Sequence, residues 1–408
     1  MKKVNVIGLG YIGLPTALMF ATHGVEVVGT DYNKELIETL NKGKTTFEEE
    51  GLDQSFQNAL KTGIKFTTEY MHDDIYIVSV PTPYEKENKK IDPKYVISAV
   101  ESVLDVCNKG AILIIESTIS PGTIDKFIRP IIAKKGLEIG KDIHLVHAPE
   151  RIIPGNMMYE LEHNSRTIGA DSKEIGEQVK ELYASFCKGE IVVTDIKTAE
   201  MTKVVENTFR DINIAFANEL SRICRKDGMD VYEIIRIANK HPRVNILQPG
   251  PGVGGHCISV DPWFLVGDYP DIVNVIKAAR EVNDGQPKFV LDRLETIMKE
   301  HNIQDYSKVG IYGLTYKDDV DDIRESPTLQ MLEIMGEEKA KQVKVFDPHV
   351  KREIVANQYH DFDEFLKDIE IILVMNAHTH LKENMNKIEG KIIFDTKNAV
   401  NIKDTYKL

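Results

Sequence analysis

The segment KVNVIGLGYIGLP, residues 3–15, constrains this chain more than any other. An apolar run with strand character ends at Gly8, and Gly8-x-Gly10-x-x-Gly13 leads into YIGLPTALMFATHG, which reads as a helix. A second strand, VEVVGTD, closes on Asp31. Glycines at this spacing permit a tight turn and let a pyrophosphate approach the helix N-terminus, where the peptide dipoles favour negative charge. An acid at Asp31 can accept hydrogen bonds from adenosine ribose hydroxyls and repel a 2′-phosphate, so the pattern implies NAD rather than NADP. A glycine turn alone can occur in an α/β domain without a nucleotide. Strand, turn, helix and acid in one unit favour the dinucleotide.

Further strands follow at βα spacing: DIYIVSVPT at 74–82, GAILIIEST at 110–118 and IHLVHAPE at 143–150. Each is an apolar run ending in small polar or charged residues, the pattern of a buried parallel sheet with its ligand at the carboxyl ends. Thr82, Thr118 and Glu150 therefore fall on the ligand edge. From about residue 197 the period changes to 3.6 in TAEMTKVVENTFRDINIAFANELSRICRKDG, with Gly228 as the stop; further helices are expected over 231–240 and 271–300. A second α/β section opens at KVGIYGLTYK, 308–317, and continues through VKVFDPH, IEIILVMNA and GKIIFDTKN. The expected fold is α/β: two Rossmann-like domains with parallel sheets, joined by a long helical dimerisation segment. The expected boundaries are 1–196, 197–300 and 301–408.

At 408 residues the chain is too long for one ordinary core. A net charge of −13 argues against general nucleic-acid binding, and no run approaches the ~20 apolar residues of a membrane span, so a cytoplasmic protein without membrane insertion is expected. Cys107, Cys187, Cys224 and Cys257 are too scattered for a zinc site or a disulfide scaffold, and no metal is expected. Three of them read as buried thiols. Cys257 differs, because GPGVGGHCISVDPWF at 250–264 places it after four glycines, where side chains are sparse and backbone amides can approach a ligand. A lone cysteine is more often a buried hydrophobe than a nucleophile, but the glycine run favours the nucleophile. On the long helix Lys203, Asn207 and Arg210 share a face at i, i+4 and i+7. That face reads either as solvated surface or as part of a site.

These segments together resemble the UDP-glucose/GDP-mannose dehydrogenase family of nucleotide-sugar 6-dehydrogenases. The resemblance runs through GLGYIGLP, VPTP at 80–83, ESTISPGT at 116–123, PERIIPG at 149–155, ENTFRDINIAFANE at 206–219, GPGVGGHC with Asp261, and GLTYKDDVDDIRESP at 313–327. HPRVNILQPGPGVGGHCISVDPWF is most similar to the UDP-N-acetylmannosamine branch. The UDP-glucose branch has its own residues at the equivalents of His241 and Arg243.

The resemblance implies oxidation of a sugar C6 alcohol to a carboxylate, with two NAD⁺ reduced per turnover, in the service of surface-polysaccharide synthesis. Carried over by position, Cys257 captures the C6 aldehyde as a thiohemiacetal that becomes a thioester. Lys203, assisted by Asn207, moves a proton and stabilises oxyanion character at C6. Asp261 and Glu150 orient water and protons, and Thr118 lies near the nicotinamide. Gly8, Gly10, Tyr11, Ile12, Gly13, Asp31, Thr82, Thr118 and Arg324 match cofactor positions. Arg151, Ile152, Lys203, Asn207, Arg210, His241, Arg243, Gly254, Tyr316 and Lys317 match substrate positions. The family also implies a homodimer or higher oligomer, with residues near Arg243 at the contact. The N-acetyl epimer, manno or gluco, stays open on sequence alone. A β-hydroxyacid-type dehydrogenase shares a Rossmann domain, a helical domain and a lysine, but needs no cysteine and leaves the third section unexplained. An NAD-sensing assembly protein without turnover leaves Cys257 and Lys203 idle.

Overall fold

The computed structural model describes residues 3–408. The chain divides into two compact units, Met1–Glu206 and Asn207–Leu408, and the division falls within the helix Ile196–Lys226.

In the first unit an eight-stranded sheet has the order β3-β2-β1-β4-β5-β6-β7-β8. Its strands are β1 (Lys3–Ile7), β2 (Glu26–Thr30), β3 (Lys65–Thr67), β4 (Ile75–Val78), β5 (Ala111–Ile115), β6 (Ile143–His147), β7 (Arg166–Ala170) and β8 (Ile191–Thr194). The expected strands are present, and β4 and β5 are buried along their whole length, as continuous apolar runs require when helices cover both faces. The sheet is parallel from β3 to β6. It then reverses, β6 pairing antiparallel with β7 at Val146↔Ala170 and His147↔Gly169, while β7 and β8 run parallel to each other. The reversed pair was not legible in the sequence, because RTIGA and IVVT are short. The helix Gly13–Thr22 packs its leucines and Phe20 into the core beside β1.

The second unit holds a six-stranded, wholly parallel sheet of order β11-β10-β9-β12-β13-β14. Its strands are β9 (Val309–Tyr312), β10 (Lys344–Phe346), β11 (Gln358–Tyr359), β12 (Ile371–Val374), β13 (Ile392–Asp395) and β14 (Tyr406–Lys407). The central order repeats that of the first sheet, and so does the turn. Gly8 donates its N–H to Thr30 O at 2.8 Å and Gly313 donates to Phe346 O at 2.8 Å, each from a positive φ. Asp31 accepts from Leu9 N, and Asp347 accepts from Leu314 N.

The expected helix over 271–300 is two helices, Asn274–Asp284 and Gln286–Glu300. Gly285 sits at the break and Pro287 in the first turn of the second, where a missing N–H costs nothing. DPWFLVGD forms a further helix, Asp261–Asp268, also opened by proline. No helix among the described residues is long and apolar enough to cross a membrane. Cys187 and Cys224 are buried as expected, whereas Cys107 is only half-buried.

Candidate active site

In the first unit the glycine fingerprint shapes a cradle. A Cβ on Gly13 would stand 1.8 Å from Gly8 O, so no other residue fits there. A Cβ on Gly10 would meet nothing within 4 Å, which leaves that side of the turn open. Asp31 is held at the end of β2 by the N–H groups of Leu9 and Asn33, at 2.8 and 2.9 Å. Tyr11 and Ile12 are half-buried, the Tyr11 ring lying 4.5 Å from that of Phe47. Thr82 donates its hydroxyl to Thr118 O at 2.5 Å, tying the loops after β4 and β5 together. An open glycine turn, a helix N-terminus and a fixed acid fit a dinucleotide.

Glu150, just past β6, is buried at 6% exposure. Its Oε1 accepts from the N–H groups of Arg151 and Ile152 at 2.6 and 3.2 Å, and its Oε2 meets the Arg166 guanidinium. Arg166 also faces Glu116, at 3.7 Å, and lies 4.5 Å from the Tyr183 ring centre. Glu116 accepts from Ser79 Oγ at 2.5 Å and from the Tyr183 hydroxyl at 3.0 Å. Burial pushes the Glu116 carboxyl up to about 7, with Arg166 pulling it down and Glu150 adding to the rise. Burial likewise drives the Tyr183 phenol well above its usual range. The Arg151 guanidinium is committed to Ser165, Thr167 and Glu206, the last at 2.9 Å. Ile152 is buried. Lys203 is 4% exposed, one turn after Glu200. Glu200 accepts from Gly122 N and Ile124 N at 2.6 and 3.0 Å and so fixes the start of the long helix to the loop beyond Thr118.

In the second unit Asn207 donates to Asp261 Oδ2 at 2.6 Å, and both are buried. Cys257 is exposed, and its carbonyl accepts the Asp261 N–H at 2.8 Å, placing the thiol one turn before the helix Asp261–Asp268. The preceding glycines answer a packing need: a Cβ on Gly254 would lie 2.5 Å from both Glu325 O and Tyr316 Cβ. Thus Gly254, Tyr316 and the cysteine segment share one place, and Gly255 N donates to Arg324 O at 2.8 Å. Burial, and next the Arg324 charge, lower the His256 pKa, which disfavours an imidazolium beside Cys257. Arg324 is clamped by Asp322, its Nε and Nη2 reaching the carboxylate at 3.0 and 2.6 Å. Lys317 is half-buried. Arg210, His241 and Arg243 are exposed.

Sequence reasoning missed Glu116, Arg166 and Tyr183, and also Arg280. The last is 1% exposed, pairs with Asp211 at 2.6 Å and reaches Ile258 O at 3.5 Å, beside Cys257. Asp319, His349 and His378 bring metal-ligand atoms within 4.8 Å of one another. There, however, His378 Nδ1 accepts the Asp319 N–H at 2.8 Å, so its lone pair is already engaged.

An NAD cradle at the switch point of one Rossmann sheet, with a second such sheet and an exposed thiol in the other unit, defines a two-Rossmann dehydrogenase. The sequence matches the UDP-glucose/GDP-mannose dehydrogenase family throughout: its NAD binding domain over residues 2–187, its central domain over 197–285 and its UDP binding domain over 310–402. The chain belongs to that family, and NAD is its cofactor. It is 42% identical to UDP-N-acetyl-D-mannosamine dehydrogenase of Methanococcus vannielii, covering 98% of this chain and 94% of the relative. It is 38% identical to NDP-N-acetyl-D-galactosaminuronic acid dehydrogenase of Ralstonia nicotianae, covering 97% and 96%. The native structure of the UDP-N-acetyl-mannosamine dehydrogenase from Staphylococcus aureus superimposes with a TM-score of 0.89 at 43% identity, covering 100% of this chain and 98% of that one.

Proposed function

We propose that this protein oxidises the C6 alcohol of UDP-N-acetyl-D-mannosamine to the uronate, in two steps held together by Cys257. The observation that carries the reading is the exposed Cys257 thiol, seated in a glycine loop one turn before Asp261, whose carboxylate is held by Asn207. The choice of an N-acetylhexosamine is supported by the names of the relatives from Methanococcus and Staphylococcus, and the N-acetylgalactosaminuronic acid relative supports the same sugar class.

NAD, when bound, supplies the hydride acceptor. The C6 hydroxyl proton passes to a base as the C–H bond gives up its hydride. The Cys257 sulfur then adds to the resulting aldehyde, and the bond retains a reactive intermediate that would otherwise diffuse away. Loss of a second hydride from the thiohemiacetal carbon, to a second NAD⁺ exchanged for the first NADH, leaves a thioester as the hydroxyl proton passes to a base. Water then attacks the thioester carbonyl, releasing the thiol and the carboxylate. Lys203, buried on the long helix, steadies negative charge on the sugar oxygen with Asn207 beside it in sequence. Asp261 and Glu150 hold water and take its proton. Asp31, Thr82, Thr118 and the glycine turn seat the cofactor, with Arg324 offered from the C-terminal domain. Arg151, Arg210, His241, Arg243, Tyr316 and Lys317 face the UDP-sugar. The working domains are 1–196, 197–300 and 301–408, and the active form is a homodimer or higher homo-oligomer. Phe209, Phe216 and Ile223, seven residues apart on one helix face and 66%, 50% and 50% exposed, are the surface we assign to that contact.

The test is NADH release with UDP-N-acetylmannosamine, UDP-N-acetylglucosamine and UDP-glucose in parallel. The expected result is two NADH per molecule of the mannosamine sugar and no free aldehyde. Cys257→Ser should bind both ligands yet form no uronate. One NADH per sugar, or full turnover by the serine variant, overturns the covalent route.

A further inference from the structure

Behind Glu150 lies a closed set of charges. Glu116, Glu150 and Arg166 are 1%, 6% and 4% exposed. Two carboxylates therefore face a single guanidinium, because Arg151 next door is committed to Ser165, Thr167 and Glu206. The remaining walls are the Ser79 hydroxyl, the Tyr183 hydroxyl and ring, the Phe186 ring 5.4 Å from Arg166, and the Cys187 thiol acting on Arg166. With both carboxylates ionised the cluster carries an uncompensated buried negative charge, which a low-polarity interior strongly opposes. One added proton removes it.

The hydrogen-bond partners say where that proton rests. Glu150 takes hydrogen bonds on Oε1 from two backbone N–H groups, which only donate, and its Oε2 stands against the guanidinium as an ion pair. Glu116 also faces the guanidinium, at 3.7 Å, but its hydrogen bonds come from the hydroxyls of Ser79 and Tyr183, which can turn to accept. We propose that the pair Glu116 and Glu150 binds one proton beside Arg166, held on Glu116, and that its release to solvent sets a second negative charge behind Glu150. Glu116 is thus a positioning residue for the proton rather than a group that touches substrate. The inference rests on the reading of Glu150 as an acceptor in the reaction. Burial and the neighbouring Glu150 charge place the Glu116 carboxyl near neutrality, in the range where such a release can be seen.

The experiment has two independent readouts. Without substrate, unfolding stability is measured from about pH 5 to about pH 8 for wild type, Glu116→Gln and Glu150→Gln. A proton bound by the pair predicts that wild type loses stability as pH rises relative to each variant, because either glutamine leaves one carboxylate for one guanidinium. A difference from Glu116→Gln that stays constant across this range overturns the inference. With substrate, the wild-type rate should climb by about tenfold over that range and the Glu116→Gln rate should stay level to within about twofold. A variant that is uniformly slower with an unchanged profile also overturns it. Full turnover by Glu150→Gln instead overturns the acceptor reading, while the stability series still decides whether the pair binds the proton.

Discussion

Replacing Arg280 by methionine tests whether the second unit depends on one buried charge pair. The methionine preserves chain length and apolar stem but leaves Asp211, itself fully buried, with only the Asn283 amide at 2.8 Å. Asp211 Oδ2 has no hydrogen-bond partner even in the intact protein, and burial already holds this carboxyl above its ordinary range against the pull of Arg280. Removing one member of a buried pair costs about 3–5 kcal/mol. Asp211→Asn should cost less, about 2 kcal/mol, because Arg280 keeps Asp284 and the Ile258 carbonyl.

The sign with pH separates charge from packing. A carboxyl whose folded pKa lies above its unfolded value favours the protonated native state, so stability falls as pH rises from the unfolded pKa through the folded one. Deleting Arg280 raises the Asp211 pKa further. The loss in Arg280→Met should therefore be largest near pH 8 and shrink on acidification by about 1.4 kcal/mol for each unit of pH over which Asp211 is protonated in the variant but ionised in the wild type. The measurement is urea unfolding at about pH 5 and about pH 8, followed through Trp263, the only tryptophan, whose ring lies 5.9 Å from the guanidinium. A loss below about 1 kcal/mol, or one equal at both pH values, refutes the reasoning.

Asp31→Asn should weaken NAD by about tenfold and narrow the preference over NADP, since it removes the charge we propose for the ribose; equal kcat/KM for the two cofactors in the wild type would show that Asp31 does not face the ribose. Phe216→Glu, at the middle of the exposed stripe Phe209–Phe216–Ile223, should give monomers in sedimentation at concentrations where wild type is dimeric, and a wild-type monomer with full activity removes the proposed contact.

The parts legible in the sequence are those set by local rules. β1, β2 and the helix between them follow from an apolar run, a glycine turn and an acid, and the mutual clearance of Gly8 and Gly13 shows why no other side chain would serve. Asn207 and Asp261 illustrate a partial success: each stood out separately, but a hydrogen bond between residues 54 apart is a product of the fold. Lys203 carried two readings, solvated face or site, and its 4% exposure decides against the solvated one. In the sequence the glycines before Cys257 suggest access for a ligand, whereas Gly254 answers the close approach of Tyr316 and Glu325. Both needs can act on one loop, because a backbone pressed onto Tyr316 and Glu325 on one side leaves Cys257 exposed on the other.

Glu116 and Arg166 were invisible for a different reason. Arginine and glutamate are common surface residues, so neither residue type carries a signal. Their chemistry arises only because β7 runs antiparallel to β6 and sets Arg166 behind the end of that strand, where Glu150 begins the loop. A strand reversal that periodicity cannot register therefore decides which charge stands behind the proposed proton acceptor.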